Sequence, residues 1–484
     1  MKINPKFVLG IIFLLTLGFR LYVSFTNTSF SSDESYFNLR LTENIIETKK
    51  PLTYDELSYS GRNLIYPQAF NYFLALFWFV PEYEKIIPAI LSSLIVIIIY
   101  FISKKITNDV KASLFSSLLS AFIPIEIRTN VNQISIYSLV IPVLLLMILA
   151  LLNLDNKKYF ILFIILSFLL PLIHPISILF TLSLLFYLIL IDTESINLNK
   201  AKKEAIMFSF FLVLLINFFM YKEALLRYGT NIIWQNIPSI LFNEYFKTFD
   251  MLEIIYLLGI IPLFFGVIGI YLGLFKRKDN SIILLSSFIL AALLLISLKL
   301  INLKISILFI SLPLLIASSK ALSSLYSYID LTKFSKFKKY FDFSLIILII
   351  LLSILPSILI AASLPNYNQE IKTFKWLDQN TAQNSVILAG YDLGNILTYF
   401  SNRKNVADDN FLLAPNVEER LGDIDNIYRT VFEVKGLELI KKYNIKYIYA
   451  SNSVLKKYSL TKIPYIENKN CFELIGEDIY EVKC

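Results

Sequence analysis

Ile86-Ile87-Pro88-Ala89-Ile90-Leu91-Ser92-Ser93-Leu94-Ile95-Val96-Ile97-Ile98-Ile99-Tyr100-Phe101-Ile102 carries no charge, and Ser103 joins it to Lys104 and Lys105. An apolar run of roughly 17–25 residues is long enough to cross a bilayer as a helix. A basic pair at its end holds that end in the cytoplasm. Working outward, ten further stretches have the same character, near 7–25, 108–125, 134–154, 158–173, 175–192, 204–221, 252–274, 280–298, 304–319 and 342–363. The sequence therefore predicts an α-helical polytopic membrane protein of about eleven transmembrane helices.

Composition agrees with that reading. Of 484 residues, 56% are hydrophobic and 17% charged, outside the range of ordinary soluble domains. The net charge of +8 is explained by loop lysines and arginines without invoking nucleic acid. With the N-terminus inside, Lys104, Lys105 and Lys111, then Lys157 and Lys158, then Lys200, Lys202 and Lys203 fall on the cytoplasmic side. So do Lys276, Arg277, Lys278, Lys333, Lys336, Lys338 and Lys339. The run Phe7–Phe25 follows Lys2 and Lys6, lacks a small-residue cleavage site, and reads as a retained first helix.

An odd number of spans places residues 364–484 outside, as a domain distinct from the membrane module of 1–363. This tail is polar, with strand-like runs at Val386–Ala389 and Lys446–Tyr449 and a helix-like stretch at Lys435–Tyr443, which predicts a small extracytoplasmic α/β domain. It holds the two cysteines, Cys471 and Cys484, which the sequence leaves open as one bridge or two thiols. The first outer loop, 26–84, is counted with the membrane module. Ser31, Ser32 and Asp33 make an N-cap for a helix from Glu34 to about Glu47, and Pro67–Val80 gives a second short apolar stretch; both read as helices on the outer membrane surface. The 23-residue loop Tyr228–Asp250 contains Trp234, Tyr245 and Phe246, and reads as a cover for a lipid-linked ligand or as a membrane-resting loop.

In this topology Asp33, Glu34, Glu126, Arg128, His174 and Lys304 all gather at the outer ends of helices. Ionisable residues at such depths mark function. The stretch Ser32-Asp33-Glu34-Ser35-Tyr36-Phe37-Asn38-Leu39-Arg40-Leu41-Thr42-Glu43-Asn44 resembles the acidic first-loop motif and surface helix of the integral-membrane glycosyltransferases of the GT-C fold. Leu64-Ile65-Tyr66-Pro67 leading into Phe70-Asn71-Tyr72 is similar to their second surface helix. In the tail, Gly390-Tyr391-Asp392-Leu393-Gly394-Asn395, with Thr398-Tyr399, Asn402-Arg403 and Val406-Ala407-Asp408-Asp409-Asn410, resembles the acceptor-binding region of oligosaccharyltransferase catalytic subunits, including archaeal ones, without its tryptophans. Where those enzymes carry an acidic pair in the second outer loop, this chain has Glu126 as the only nearby carboxylate, before Arg128-Thr129-Asn130.

The resemblance implies transfer of a sugar or oligosaccharide from a polyprenyl (dolichyl-type) phosphate or pyrophosphate to an extracytoplasmic protein, lipid or glycan. Asp33 is then the catalytic carboxylate with Glu34 as its neighbour. Arg128 and Lys304 would hold phosphate, with His174 and Asp392 as further substrate-binding residues. A divalent cation, Mg or Mn, would sit on Asp33 and Glu126, a thin ligand set for a hard ion. Ordinary readings stand beside these roles: Asp33 as a helix cap, Glu126 and Arg128 as partners of each other, His174 as a hydrogen-bonded structural residue, Lys304 snorkelling to the interface. The competing functions are a lipid-linked sugar flippase or transporter, and a catalytically degenerate glycolipid-binding relative. A transporter calls for polar or broken-helix sites near the bilayer midplane.

Overall fold

The computed structural model describes residues 4–246, 250–276 and 278–484. Lys2, Arg277 and part of the 228–250 loop, on which sequence expectations rest, lie outside them. The helices in chain order are α1 (Pro5–Thr26), α2 (Asp33–Thr48), α3 (Ala69–Ala75), α4 (Tyr83–Thr107), α5 (Val110–Ala121), α6 (Pro124–Asn130), α7 (Tyr137–Leu152) and α8 (Lys157–Ile173). Next come α9 (Ser177–Thr193), α10 (Lys200–Tyr228), α11 (Ser239–Tyr245), α12 (Met251–Leu258), α13 (Ile260–Tyr271), α14 (Asn280–Ser297), α15 (Leu303–Leu331), α16 (Lys338–Ile349) and α17 (Leu355–Ala362). The tail adds α18 (Asn368–Asn380), α19 (Gly394–Ser401), α20 (Val417–Arg429), α21 (Glu433–Lys442) and α22 (Asn452–Lys457).

All eleven predicted apolar stretches are helical. Among the described residues, six helices are long and apolar enough to cross a membrane, or eight if each of two bent pairs is one span. The shortfall from eleven has a physical cause. Apolar stretches read as continuous are broken or short: α5 and α6 meet at 46°, α12 and α13 at 82°, and α7, α8 and α9 have 16 or 17 residues each. Gly259, at φ +85°, makes the sharper bend. The chain is a multi-pass membrane protein.

Two compact units emerge from the packing. One comprises Met1–Asn27, Pro67–Met220 and Phe246–Leu364, and the other Thr28–Tyr66, Tyr221–Tyr245 and Pro365–Cys484. Most of the first loop thus packs within the same unit as the tail, where the sequence reading had kept it with the membrane helices. A loop of this length finds its apolar and polar partners in the domain it meets, and no periodicity announces that choice.

In the helical unit, backbones approach closely where side chains are small. A Cβ on Gly266 would lie 2.5 Å from the Leu314 carbonyl oxygen, and one on Gly269 would collide with that of Ala317, so α13 and α15 require glycine at both points. Where α5 ends, the freed Phe122 carbonyl accepts hydrogen bonds from the Ser353 and Ser357 hydroxyls at 2.6 and 3.0 Å. In lipid an unsatisfied carbonyl would be costly.

The second unit is built on a five-stranded mixed sheet. Its strands are β3 (Val386–Leu388), β4 (Lys404–Asn405), β5 (Ile445–Tyr449), β6 (Phe472–Gly476) and β7 (Ile479–Val482), in the order β4-β3-β5-β7-β6; a separate hairpin, β1 (Tyr54–Asp55) and β2 (Arg62–Asn63), lies in the first loop. β3 runs parallel to β4 and β5, while β7 is antiparallel to β5 and β6. The expected strands and helix of the tail correspond to β3, β5 and α21. Helix α19 makes the crossover from β3 to β4, which sets its N-terminus near the ends of the parallel strands. Cys471 and Cys484 form a disulfide, which closes the question the sequence left open.

Candidate active site

Helix α2 begins at Asp33 and is preceded by Ser32, whose side chain makes no capping bond. The apolar side of α2 packs on α19, with the Tyr36 ring 5.2 Å from that of Phe400 and 5.7 Å from that of Tyr399. This packing turns the Asp33 carboxylate toward the start of α19. Its Oδ1 accepts from the Ile396 amide at 2.8 Å, and its Oδ2 from the Asn395 amide at 3.3 Å and the Asn395 Nδ2 at 2.7 Å. Asp33 is therefore a cap, though of a helix more than 360 residues away and not of its own. It is 7% exposed.

Asn395 joins two carboxylates, since its Nδ2 also donates to Asp409 Oδ1 at 2.9 Å. Its Oδ1 is buried without a partner in the structure. Burial raises the Asp33 carboxyl well above the ordinary range, and the nearby Asp409 charge adds to this, against three N–H groups that lower it. Burial, the Asp408 charge and the Glu34 charge, in that order, push the Asp409 carboxyl up to about 7. Glu34 itself is exposed.

Next to this centre, Asp408 is fully buried. It accepts from Ser58 Oγ at 2.5 Å, Asn405 Nδ2 at 3.2 Å and the Asn410 amide at 3.1 Å, with Arg62 at 3.5 Å. The first-loop hairpin supplies two of these partners. A left-handed turn at Tyr59, Ser60 and Gly61 aims the Tyr59 hydroxyl at the Asp408 carbonyl, to which it donates at 2.7 Å. The tail segment 405–410 is held between the hairpin and α19. The tail's Asp392 is more than half exposed and pairs with Lys457 at 3.2 Å.

The remaining predicted residues lie in the helical unit, each with partners of its own. Glu126 is fully buried, with both oxygens engaged by the Arg20 guanidinium and Oε1 also accepting from Asn130 Nδ2 at 2.9 Å. Arg128 pairs with Glu253 at 3.1 Å, so Glu126 and Arg128 are not partners of each other. His174 ends α8, accepts from the Ile176 amide at Nδ1 over 3.0 Å, and lies against the Tyr137 ring. Lys304 is half-buried in the first turn of α15.

The donor set does not fit a divalent cation as arranged. Asp33 spends its lone pairs on three N–H groups and Glu126 on a guanidinium, and the described residues contain no group of three or more His, Cys, Asp or Glu poised to hold one. A hard ion needs several free oxygens at one point.

Asn395 is the residue at this centre that sequence reasoning did not weigh by itself, and Asp409 reads from sequence equally as a solvated loop residue, although both lie in the stretches that resemble the oligosaccharyltransferase tail. Their roles depend on proximity to Asp33, which no spacing encodes.

No family model and no curated protein matches this sequence. Solved structures do. The archaeal oligosaccharyltransferase AglB from Archaeoglobus fulgidus, in complex with an inhibitory peptide and a dolichol-phosphate, is similar over 92% of this chain and 69% of its own, with TM-score 0.72 and 14% identity. The same oligosaccharyltransferase in its apo form matches over 93% and 69%, also at TM-score 0.72 and 14% identity. ArnT from Cupriavidus metallidurans, bound to undecaprenyl phosphate, matches over 96% of this chain and 97% of its own, with TM-score 0.55 and 10% identity. The protein thus has the fold of the GT-C membrane glycosyltransferases.

Proposed function

We propose that this protein is a membrane glycosyltransferase that moves a sugar or oligosaccharide from a polyprenyl phosphate or pyrophosphate to an extracytoplasmic acceptor. The observation that carries the reading is the fold, which follows known lipid-linked sugar transferases over more than nine tenths of the chain. Their bound dolichol-phosphate and undecaprenyl phosphate point to the same class of carrier here. In the orientation that places every basic cluster inside, the tail and Asp33 face outward.

The chemistry would run as follows. The acceptor oxygen or nitrogen attacks the anomeric carbon, the bond from that carbon to the phosphate oxygen breaks, and the phosphate departs with the electron pair. Asp33, with Glu34 beside it, takes the acceptor proton. Arg128 and Lys304 balance the departing phosphate, His174 lines the donor side, and Asp392 contacts the acceptor. Glu126 holds the Arg20 guanidinium.

A second reading has specific support. The Asp33 carboxylate accepts three N–H bonds in tying α2 to α19, which suits a relative that binds glycolipid without transferring the sugar. Reconstituted protein given a panel of polyprenyl-phosphate and pyrophosphate sugars separates the two, with Asp33→Asn compared and divalent metal added or chelated. Transfer by wild type that falls at least about a hundredfold in Asp33→Asn supports catalysis by this carboxylate. Lipid binding without transfer by either protein favours the binding-only reading.

A further inference from the structure

Within the second unit, a cleft of about 810 Å³ opens between residues 227–243 and residues 414–419. Its volume is that of a small-ligand site. The mechanism above uses none of its residues.

Hydrogen bonds between lining residues and their neighbours hold the walls. Glu418 accepts from the Ser239 amide at 2.7 Å and from the Ser239 hydroxyl. Asn236 donates to the Phe411 carbonyl at 3.3 Å. The turns at the rim sit in left-handed conformations, at Gly229, Gln235, Asn236 and Asn416, so the cleft is made of tight turns and not of slack loop.

The lining combines two features. Tyr228, Trp234 and Phe242 offer half-buried aromatic rings. Asn231, Asn236, Asn243 and Asn416 add carboxamides, each with two N–H groups and an acceptor oxygen, of which Asn236 spends one N–H on the Phe411 carbonyl and Asn416 one on Glu419 at 3.4 Å. Pyranose rings have the complementary surface: C–H faces that stack on aromatic rings, and hydroxyls that donate and accept at once. A hydrocarbon chain would leave the amides unpaired. A phosphate would meet Glu418 and Glu419 with Arg227 as the sole cation in the lining.

We propose that this cleft is a saccharide-binding subsite, separate from the Asp33 centre, that takes neutral pyranose units of the glycan being transferred or extended. The proposal rests on the glycosyl-transfer reading for the origin of that glycan. The chain connecting the two sites is short. Asp409 and Asn416 are seven residues apart, a span of at most roughly 25 Å, and between them the Phe411 ring touches those of Tyr245 and Tyr391.

The test uses the full chain in detergent, with di- and trisaccharides of glucose, mannose and N-acetylglucosamine as probes. Saturation-transfer NMR and tryptophan emission report binding, the protein having three tryptophans. Wild type is expected to bind at least one probe, and Trp234→Ala and Asn243→Ala to weaken it at least about tenfold with unfolding temperatures unchanged. Binding by wild type that neither variant weakens, or no binding of any probe, overturns the proposal, as does competition by peptides alone. Saccharide binding in a protein that transfers nothing keeps the subsite while removing the enzymatic reading, so the two failures are distinguishable. Where transfer is measured, a raised KM for the lipid-linked sugar in Trp234→Ala assigns the subsite to the donor, and a raised KM for a glycan acceptor assigns it to the acceptor.

Discussion

At the residue scale, Asp33 and Asp409 share one amide and little water, so ionising both is unfavourable. A carboxyl whose value is raised in the fold binds more protons than in the unfolded chain. Its contribution to stability is complete at low pH and is lost as pH rises through the folded value, here about 7 for Asp409. The unfolding temperature of the purified protein should fall between pH ~4 and pH ~7, and Asp409→Asn should flatten that fall. A wild-type profile that is flat or rising over the window would mean that the Asp409 carboxyl is not raised in the fold. Asp33 was legible because it stands at the head of an amphipathic helix in an acidic motif. Asn395, which positions it, was not, because an asparagine opening a short helix looks like any other turn residue.

At the element scale, Arg20 of α1 and Glu126 of α6 are 1% and 0% exposed and pair inside an apolar unit, with Asn130 Nδ2 as a further donor to Glu126. Removing one partner strands a buried charge, at a cost of about 3–5 kcal/mol, whereas removing both together costs far less. Arg20→Leu should therefore lower the unfolding temperature and yield strongly, and Arg20→Leu combined with Glu126→Leu should recover most of the loss. A double variant as unstable as the single one would mean the pair does more than neutralise itself. The apolar stretches themselves were easy to read, since lipid-facing helices cannot hide their composition. What failed to show was where they break. The 252–274 stretch carries no charge after Glu253, and the 82° turn between α12 and α13 rests on Gly259. Arg20 passed unnoticed inside a hydrophobic run, because its partner lies 106 positions away.

At the scale of the whole molecule, the second unit gathers three segments of chain around one sheet, and its last strands are fastened by the Cys471–Cys484 disulfide. Closing a loop of 13 residues is worth about 2–4 kcal/mol. Cys471→Ser with Cys484→Ser should lower the unfolding temperature of the tail, seen as faster proteolysis after residue 471, with little change in the helical unit; equal loss in both would show that the units unfold as one. The sequence predicted the α/β tail and its strands, but not that the first loop packs within that unit, because loops carry no period that names a partner. The bonds from Asp33 to Asn395 and Ile396 span 362 and 363 positions. At about 5–20 residues per second of synthesis, the first loop leaves the ribosome roughly 20–70 s before its partners exist. Until then the nascent chain must keep a buried aspartate and its aromatic neighbours solvated or chaperoned, so biogenesis of this protein is exposed to translational pausing anywhere between them.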